Sequence, residues 1–119
     1  MSFVDGYVLA CPETAKDEYV AMASKVSGMF KSYGALQVME CWSADVPHGK
    51  LTDFYRATQA KEGEAIVFSW VVWPDRATRD AGWAKLMEDP AMRENKPPFD
   101  GQRMFWGGFQ TIVGLSPGH

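Results

Sequence analysis

Two carboxylates and one histidine are the side chains best suited to acid–base chemistry: Asp5, Glu40 and His48. Asp5 and Glu40 each lie in a segment whose alternating side chains predict a largely buried strand. Burial disfavours the charged form, so it raises the pKa of a carboxyl group and can make it a proton donor or acceptor. The structural alternative is that each acid accepts backbone hydrogen bonds or pairs with Lys or Arg at a subunit seam.

His48 precedes a glycine in a loop, and its imidazole could act as a general base or acid near neutral pH. The alternative is a solvated turn residue. The only other histidine is His119, and the sequence has no His and Cys cluster with metal-ligand spacing, no glycine-rich phosphate loop and no nucleophile motif. We therefore predict neither a metal nor an organic cofactor.

Two arginines, Arg76 and Arg79, fall in the first turn of a predicted helix, where positive charge opposes the helix dipole. They form an anion or carboxylate site if the charge is left free, and no site if Asp75 and Asp80 neutralise it. Arg103 is a further candidate for holding a carboxylate or enolate.

Aromatic side chains are dense around the predicted strands. Most simply they are core and subunit interface. The functional alternative is a cleft between helices and sheet that accepts a flat organic molecule, because such pockets are mainly apolar with a few placed polar groups. We expect this cleft to be shaped by Trp42, Trp70 and Trp106.

Hydrophobic periodicity predicts the elements that position these groups. Apolar residues recur at three- and four-residue spacing over residues 14–33, with Thr14 as the N-cap and Gly34 as the stop, and a second helix runs from an N-cap at Asp75 to about Glu88. Residues 44–63 are predicted to be a long connection with a possible short strand at 51–58, and Gly107 and Gly108 to mark a bulge or a close backbone approach. The predicted strands are Phe3–Cys11, Leu36–Ser43, Glu64–Trp73 and Gln102–Val113.

This β-α-β-β-α-β order predicts a single ferredoxin-like α+β domain over residues 1–119. The strand Glu64–Trp73 is apolar on both faces, although two helices can cover only one face of the sheet. A second copy is the simplest cover, which predicts a homodimer closed into a dimeric α/β barrel. In this topology Cys11 and Cys41 are not on neighbouring strands, so we expect free thiols.

Composition excludes several classes of protein. The chain has 46% hydrophobic residues and 23% charged residues, which is typical of a globular protein rather than a disordered one. The net charge of −3 is spread without a basic stripe, so we expect no nucleic-acid partner. No apolar run approaches the ~20 residues of a membrane span, and the start lacks the features of a signal peptide, so we expect a cytoplasmic protein.

A series of short strings follows one another along the chain: FVDGYV at 3–8, GAL at 34–36, EC at 40–41, DVPHGK at 45–50, FSW at 68–70, RD at 79–80, PFDGQRM at 98–104 and GGF at 107–109. Together, in this order, they resemble the YbaA-like bacterial family of unknown function. The resemblance implies the dimeric α/β-barrel fold, whose members include cofactor-free monooxygenases, haem-degrading enzymes, isomerases and stress-responsive proteins. Because this scaffold supports different chemistries, the resemblance brings no catalytic residues with it.

We therefore predict a homodimer that binds a small aromatic or anionic organic molecule in a cleft of each subunit, with a cofactor-free oxygenase or isomerase as its enzymatic form. Asp5 or Glu40 would move a proton, and Arg79 or Arg103 would hold a carboxylate or enolate. The alternative is a non-enzymatic structural or stress-response dimer. A filled interior favours that alternative, whereas an open cleft reached by an acid and an arginine favours ligand binding.

Overall fold

One antiparallel sheet of four strands organises the molecule, and the computed structural model describes residues 1–115. The spatial order is β2-β3-β1-β4, so the first and third strands are central. They pair over their whole length, from Phe3 opposite Trp73 to Pro12 opposite Glu64. The strands are β1 (Phe3–Pro12), β2 (Gln37–Trp42), β3 (Glu64–Trp73) and β4 (Phe105–Gln110).

Four helices connect the strands, and two of them are long. Together with the sheet they confirm the predicted ferredoxin-like β-α-β-β-α-β fold, with two short helices added. A short 3₁₀ turn precedes the first helix and another precedes β4. The helices are α1 (Lys16–Ser32), α2 (Phe54–Thr58), α3 (Arg76–Glu88) and α4 (Pro90–Arg93).

The helix ends explain where the two long helices begin and stop. Asp75 caps α3 as predicted, since its carboxylate accepts a 2.7 Å hydrogen bond from the backbone amide of Thr78. Ala15, rather than Thr14, stands at the N-cap of α1, because Thr14 lies inside the 3₁₀ turn. After α1 the chain turns at Gly34, whose φ of 112° is in the region that favours glycine.

The connection between β2 and β3 differs from the prediction. In place of a short strand at 51–58, the structure has helix α2. Asp53 caps it by accepting a 2.7 Å hydrogen bond from the backbone amide of Arg56. Tyr55 packs over Val8 and Ile66, so α2 covers one end of the outer sheet face. The local cap therefore decides the structure of a segment whose apolar pattern resembled a strand.

The sheet has one face toward α1 and α3 and one face away from them. The helix-facing side carries the main core, in which Trp73 and Val71 pack with Phe30 and Leu86. The outer face is apolar, and among residues 1–115 only α2 and the residues beside it pack over one end of it. Its exposed side chains are Met39 (41%), Phe68 (47%), Phe105 (44%) and Phe109 (62%).

β4 is shorter than predicted, and its two glycines form no bulge, because Gly107 and Gly108 pair in regular register with Gly6 and Asp5. The close approach is present, however. A Cβ atom on Gly108 would lie 2.8 Å from the guanidinium of Arg79. Only glycine fits there without displacing that side chain.

Two further predictions concern the thiols and the membrane. Cys11 and Cys41 are free thiols, as predicted. Within residues 1–115, no helix combines the length and apolar character that a transmembrane span requires. The cytoplasmic location stays a prediction, and His119 lies outside the described residues.

Candidate functional site

A cleft of about 540 Å³ lies between the helix-facing side of the sheet and the layer formed by α1, α3, α4 and the segment before β4. Its volume is in the range of small-molecule pockets, and most of its lining is apolar. The polar side chains on its floor are Asp5, Tyr7 and Glu40. The apolar walls include Met22, Val26, Phe30, Trp83, Met92, Phe99, Met104 and Trp106.

Glu40 stands on β2 at the centre of a network of hydroxyl groups. Its Oε1 atom accepts hydrogen bonds of 2.6 Å from the hydroxyls of both Tyr19 and Ser69. Its Oε2 atom accepts a longer bond, 3.1 Å, from the hydroxyl of Tyr7. Distances near 2.6 Å are typical of hydroxyl donors to an ionised carboxylate. Three neutral donors on three different elements therefore hold Glu40 in the cleft.

The two tyrosines of this network are held in their protonated form. Burial is the main cause that raises the pKa of Tyr7 well above its usual value, and the nearby Glu40 carboxylate adds to the effect. The pKa of Tyr19 is raised for the same reasons, first by burial and then by its hydrogen bond to Glu40. Both hydroxyls are therefore hydrogen-bond donors to Glu40 at neutral pH.

Glu40 also lines a second cavity, of about 460 Å³, between α1 and β2. Tyr19 lines both cavities, so the Tyr19–Glu40 hydrogen bond lies where they meet. Lys16 and Trp42 belong to the second cavity, with the Lys16 Nζ atom 5.5 Å from the centre of a Trp42 ring. None of the ion pairs within residues 1–115 includes Glu40.

Asp5 has the opposite character, because all its hydrogen-bonding capacity is used. It is 1% exposed, and its carboxylate accepts hydrogen bonds from the Arg79 guanidinium, with a shortest distance of 2.7 Å. The indole groups of Trp73 and Trp83 donate to it as well, at 3.0 and 2.9 Å. Asp5 thus fits the structural alternative, a buried acid paired with an arginine.

All three arginines expected to hold an anion are paired with carboxylates, and Arg76 lies 3.6 Å from Asp80. Arg79 pairs with Asp5 and also with Asp80, at 3.0 Å. Its hydrogen bond to Asp5 is the main cause that raises the pKa of Arg79. Arg103 lies outside the cleft and pairs with Glu64 through two bonds of 2.7 Å, and this pairing lowers the pKa of Glu64 to about 2.

The remaining predicted site residues lie in different parts of the structure. Trp106 lines the cleft and stacks on Trp83, with ring centres 6.4 Å apart. Trp42 lines the second cavity. Trp70 lies on the outer face, where its indole donates to Gln37, so it does not line the cleft. His48 is exposed in the loop before α2 and stacks on Tyr55, away from both cavities.

Sequence reasoning did not single out the tyrosines that hold Glu40. Tyr7 stands two positions from Asp5 on the same predicted strand face, and this spacing could have placed it beside Glu40. Tyr19 was counted only as part of the apolar face of its helix. Within residues 1–115, no group of three or more His, Cys, Asp or Glu side chains is placed to hold a metal ion.

A family model described as a protein of unknown function (DUF1428) matches residues 2–101. The chain belongs to this family. The uncharacterised protein YbaA from Escherichia coli K12 is 50% identical to it over 115 residues, which cover 95% of this chain and 98% of YbaA. The YbaA protein of Shigella flexneri gives the same values. The resemblance to YbaA-like proteins is therefore confirmed for this DUF1428 member.

A solved structure supports the fold of this DUF1428 chain. It is a dimeric ferredoxin-like protein from an uncultured marine organism, determined at 1.85 Å resolution. The two chains superpose with a TM-score of 0.60 at 13% sequence identity, over 96% of this chain and 98% of the other. At this identity the likeness concerns the fold alone.

Proposed function

We propose that the protein is a homodimer and that each subunit binds a small, flat, apolar organic molecule in the cleft of about 540 Å³, with a polar group of the ligand directed to Glu40. The observation that carries this proposal is the cleft itself, which combines apolar walls with a carboxylate, Glu40, that has no cationic partner among the described residues. Aromatic side chains such as Trp106 and Phe99 offer faces for ring stacking.

The charges of the cleft favour an aromatic ligand over an anionic one. An anion would need a cation with free hydrogen-bonding capacity. Arg79 is the only arginine or lysine among the described residues that line this cleft, and it is already paired with Asp5 and Asp80. Glu40 would repel an anion, so we propose that the apolar walls provide the affinity.

Ligand binding is also favoured over a purely structural role. A structural or stress-response dimer needs no cavity of this size, and a well-packed interior contains few voids larger than a water molecule. The cleft is reached by an acid, Glu40, and by an arginine, Arg79. This is the arrangement expected for ligand binding.

The dimer is supported by the outer face of the sheet. Met39, Phe68, Phe105 and Phe109 form an apolar surface that a monomer would leave exposed to water. A second copy packed face to face on this surface would bury all four side chains. The solved ferredoxin-like neighbour is described as dimeric, which agrees with this proposal.

Calorimetric titration with 2-naphthalenemethanol tests the proposed binding. This neutral compound joins a flat apolar ring to one hydroxyl group, and we expect one molecule to bind per subunit. Val26→Phe and Met22→Trp would fill the cleft from α1 and should each abolish binding. Ala21→Phe, on the exposed side of the same helix, is the matched control and should leave binding unchanged. Absence of binding to the wild type at millimolar concentration would contradict the proposal.

A second candidate function is proton transfer, as in an isomerase or a cofactor-free oxygenase. The specific observation is that the Oε2 atom of Glu40 has a single donor within residues 1–115, at 3.1 Å, and retains capacity to take a proton. Deuterium incorporation from D₂O into 2-tetralone, followed by NMR, tests this function. With the wild type, deuterium should be incorporated faster than in buffer alone. With Glu40→Gln, the rate of incorporation should equal the rate in buffer. A wild-type rate equal to that of buffer would contradict proton transfer.

A further inference from the structure

The charges of the side chains that line the cleft do not sum to zero. Three charged side chains of the described residues line it: Asp5, Glu40 and Arg79. Asp5 and Arg79 neutralise each other through contacts as short as 2.7 Å. Glu40 is left as a carboxylate whose direct partners in the described chain are neutral hydroxyl groups. The cleft therefore carries one uncompensated negative charge beside apolar walls.

The neutral partners of Glu40 cannot supply the missing positive charge. Hydroxyl donors at 2.6 Å are neutral, so their hydrogen bonds to Glu40 do not cancel the charge of its carboxylate. Lys16 is the nearest candidate in the adjoining cavity, but it lies over Trp42 and makes no ion pair with Glu40. A partly buried carboxylate among apolar side chains is stabilised most strongly by a cation that also donates a hydrogen bond to it.

We propose that the cleft selects organic cations, and specifically a primary ammonium group attached to an apolar ring. The ammonium would bind the Oε2 atom of Glu40, which has the longest of the three hydroxyl contacts. This inference rests on the proposed binding of an apolar molecule and adds the charge of the ligand.

Three ligands with the same naphthalene ring system distinguish the effect of the ligand's charge on affinity from the effect of its ring. They are 2-naphthylmethylamine, which is a cation at neutral pH, the isosteric 2-naphthalenemethanol, and the anion 2-naphthoate. We expect the amine to bind at least about tenfold more tightly than the alcohol, and the naphthoate more weakly than both. The N-acetylated amine, which keeps the nitrogen and loses the charge, should bind no more tightly than the alcohol.

Glu40→Gln should remove the preference for the amine over the alcohol, because it removes the negative charge that attracts the ammonium group. Glu62→Gln, which removes an exposed carboxylate of the β2–β3 connection, is the matched control and should keep the preference. Lys16→Met should increase the preference for the amine, because this substitution removes a competing cation from the adjoining cavity. If Glu40→Gln does not fold, the comparison of the amine with its N-acetyl form on the wild type decides the question.

The outcomes distinguish the two proposals. An alcohol that binds as tightly as the amine would overturn the inference about charge and leave the proposed function standing. A preference for the amine that persists in Glu40→Gln would overturn the inference as well. If none of the naphthalene compounds binds, the proposed function itself fails.

Discussion

The hydroxyl of Tyr19 on α1 donates a 2.6 Å hydrogen bond to the Oε1 atom of Glu40 on β2, and this contact lies where the two cavities of the subunit meet. It joins helix to sheet through a carboxylate rather than through apolar packing alone. Because both cavities border it, the contact positions the one acid of the cleft that lacks a cationic partner among the described residues.

Stability at alkaline pH should report on this network. The folded state raises the pKa of Tyr7 and of Tyr19, so above about pH 10 the unfolded chain releases protons that the folded chain retains. The free energy of unfolding should then fall by about 1.4 kcal/mol per pH unit for each tyrosine. Urea unfolding at several pH values between about pH 8 and about pH 11 measures how steeply the free energy of unfolding falls. The double variant Tyr7→Phe/Tyr19→Phe should show a shallower decline, and equal slopes would contradict the network.

Asp5→Asn should destabilise the protein by about 3 kcal/mol, because it leaves the guanidinium of Arg79 without its buried partner. Asp80→Asn removes the other carboxylate on the same arginine, which is half exposed, and should cost less than about 1 kcal/mol. Urea unfolding at neutral pH compares the two. Similar losses in the two variants would contradict the assignment of Asp5 as the structural partner.

The sequence predicted the four strands and the two long helices because their hydrophobic patterns are clear, although Ala15 rather than Thr14 caps α1 and β4 is shorter than predicted. Asp75 begins α3 and Gly34 follows α1, as expected. The segment around Asp53 was misjudged, since one capping carboxylate outweighed a weak apolar alternation. Trp70 could not be placed, because β3 is apolar on both faces and only the register against β1 and β2 fixes which face meets the helices.

The candidate site was predicted in part for a related reason. Glu40 was expected on a buried strand, and it does line the cleft. Asp5 is neutralised by an arginine on α3, whereas Glu40 meets only a neutral tyrosine on α1. Both contacts join segments that are distant along the chain. Arg79 is 74 positions from Asp5 along the chain, and Tyr19 is 21 positions from Glu40. No local pattern reports on such pairs.

Gly108→Ala tests the close approach of β4 to α3. The new methyl group would lie 2.8 Å from both the Arg79 guanidinium and the Phe3 ring, so the Arg79–Asp5 pair must shift. We expect a loss of about 1–3 kcal/mol in urea unfolding. Gly107→Ala is the neighbouring control, since its Cβ atom would meet only the Phe109 ring, at 3.2 Å, and that ring is exposed and can move. A larger loss at Gly107 would contradict this account.

The proposed dimer predicts a mass in solution of twice 13.3 kDa by sedimentation equilibrium. Phe68→Glu together with Phe109→Glu should give the monomer, because both charges fall on the exposed apolar face of the sheet. Val20→Glu changes an equally exposed apolar residue on α1 and should leave the dimer intact. A wild-type monomer at micromolar concentration would contradict the proposal.

The position of a bound probe tests the central claim most directly. A crystal structure of the protein soaked with 2-naphthylmethylamine should show the ring in the cleft between Trp106 and Phe99, with the nitrogen about 2.8 Å from Glu40. An empty cleft in soaked crystals, or a ring seated only on the outer face of the sheet, would contradict the account.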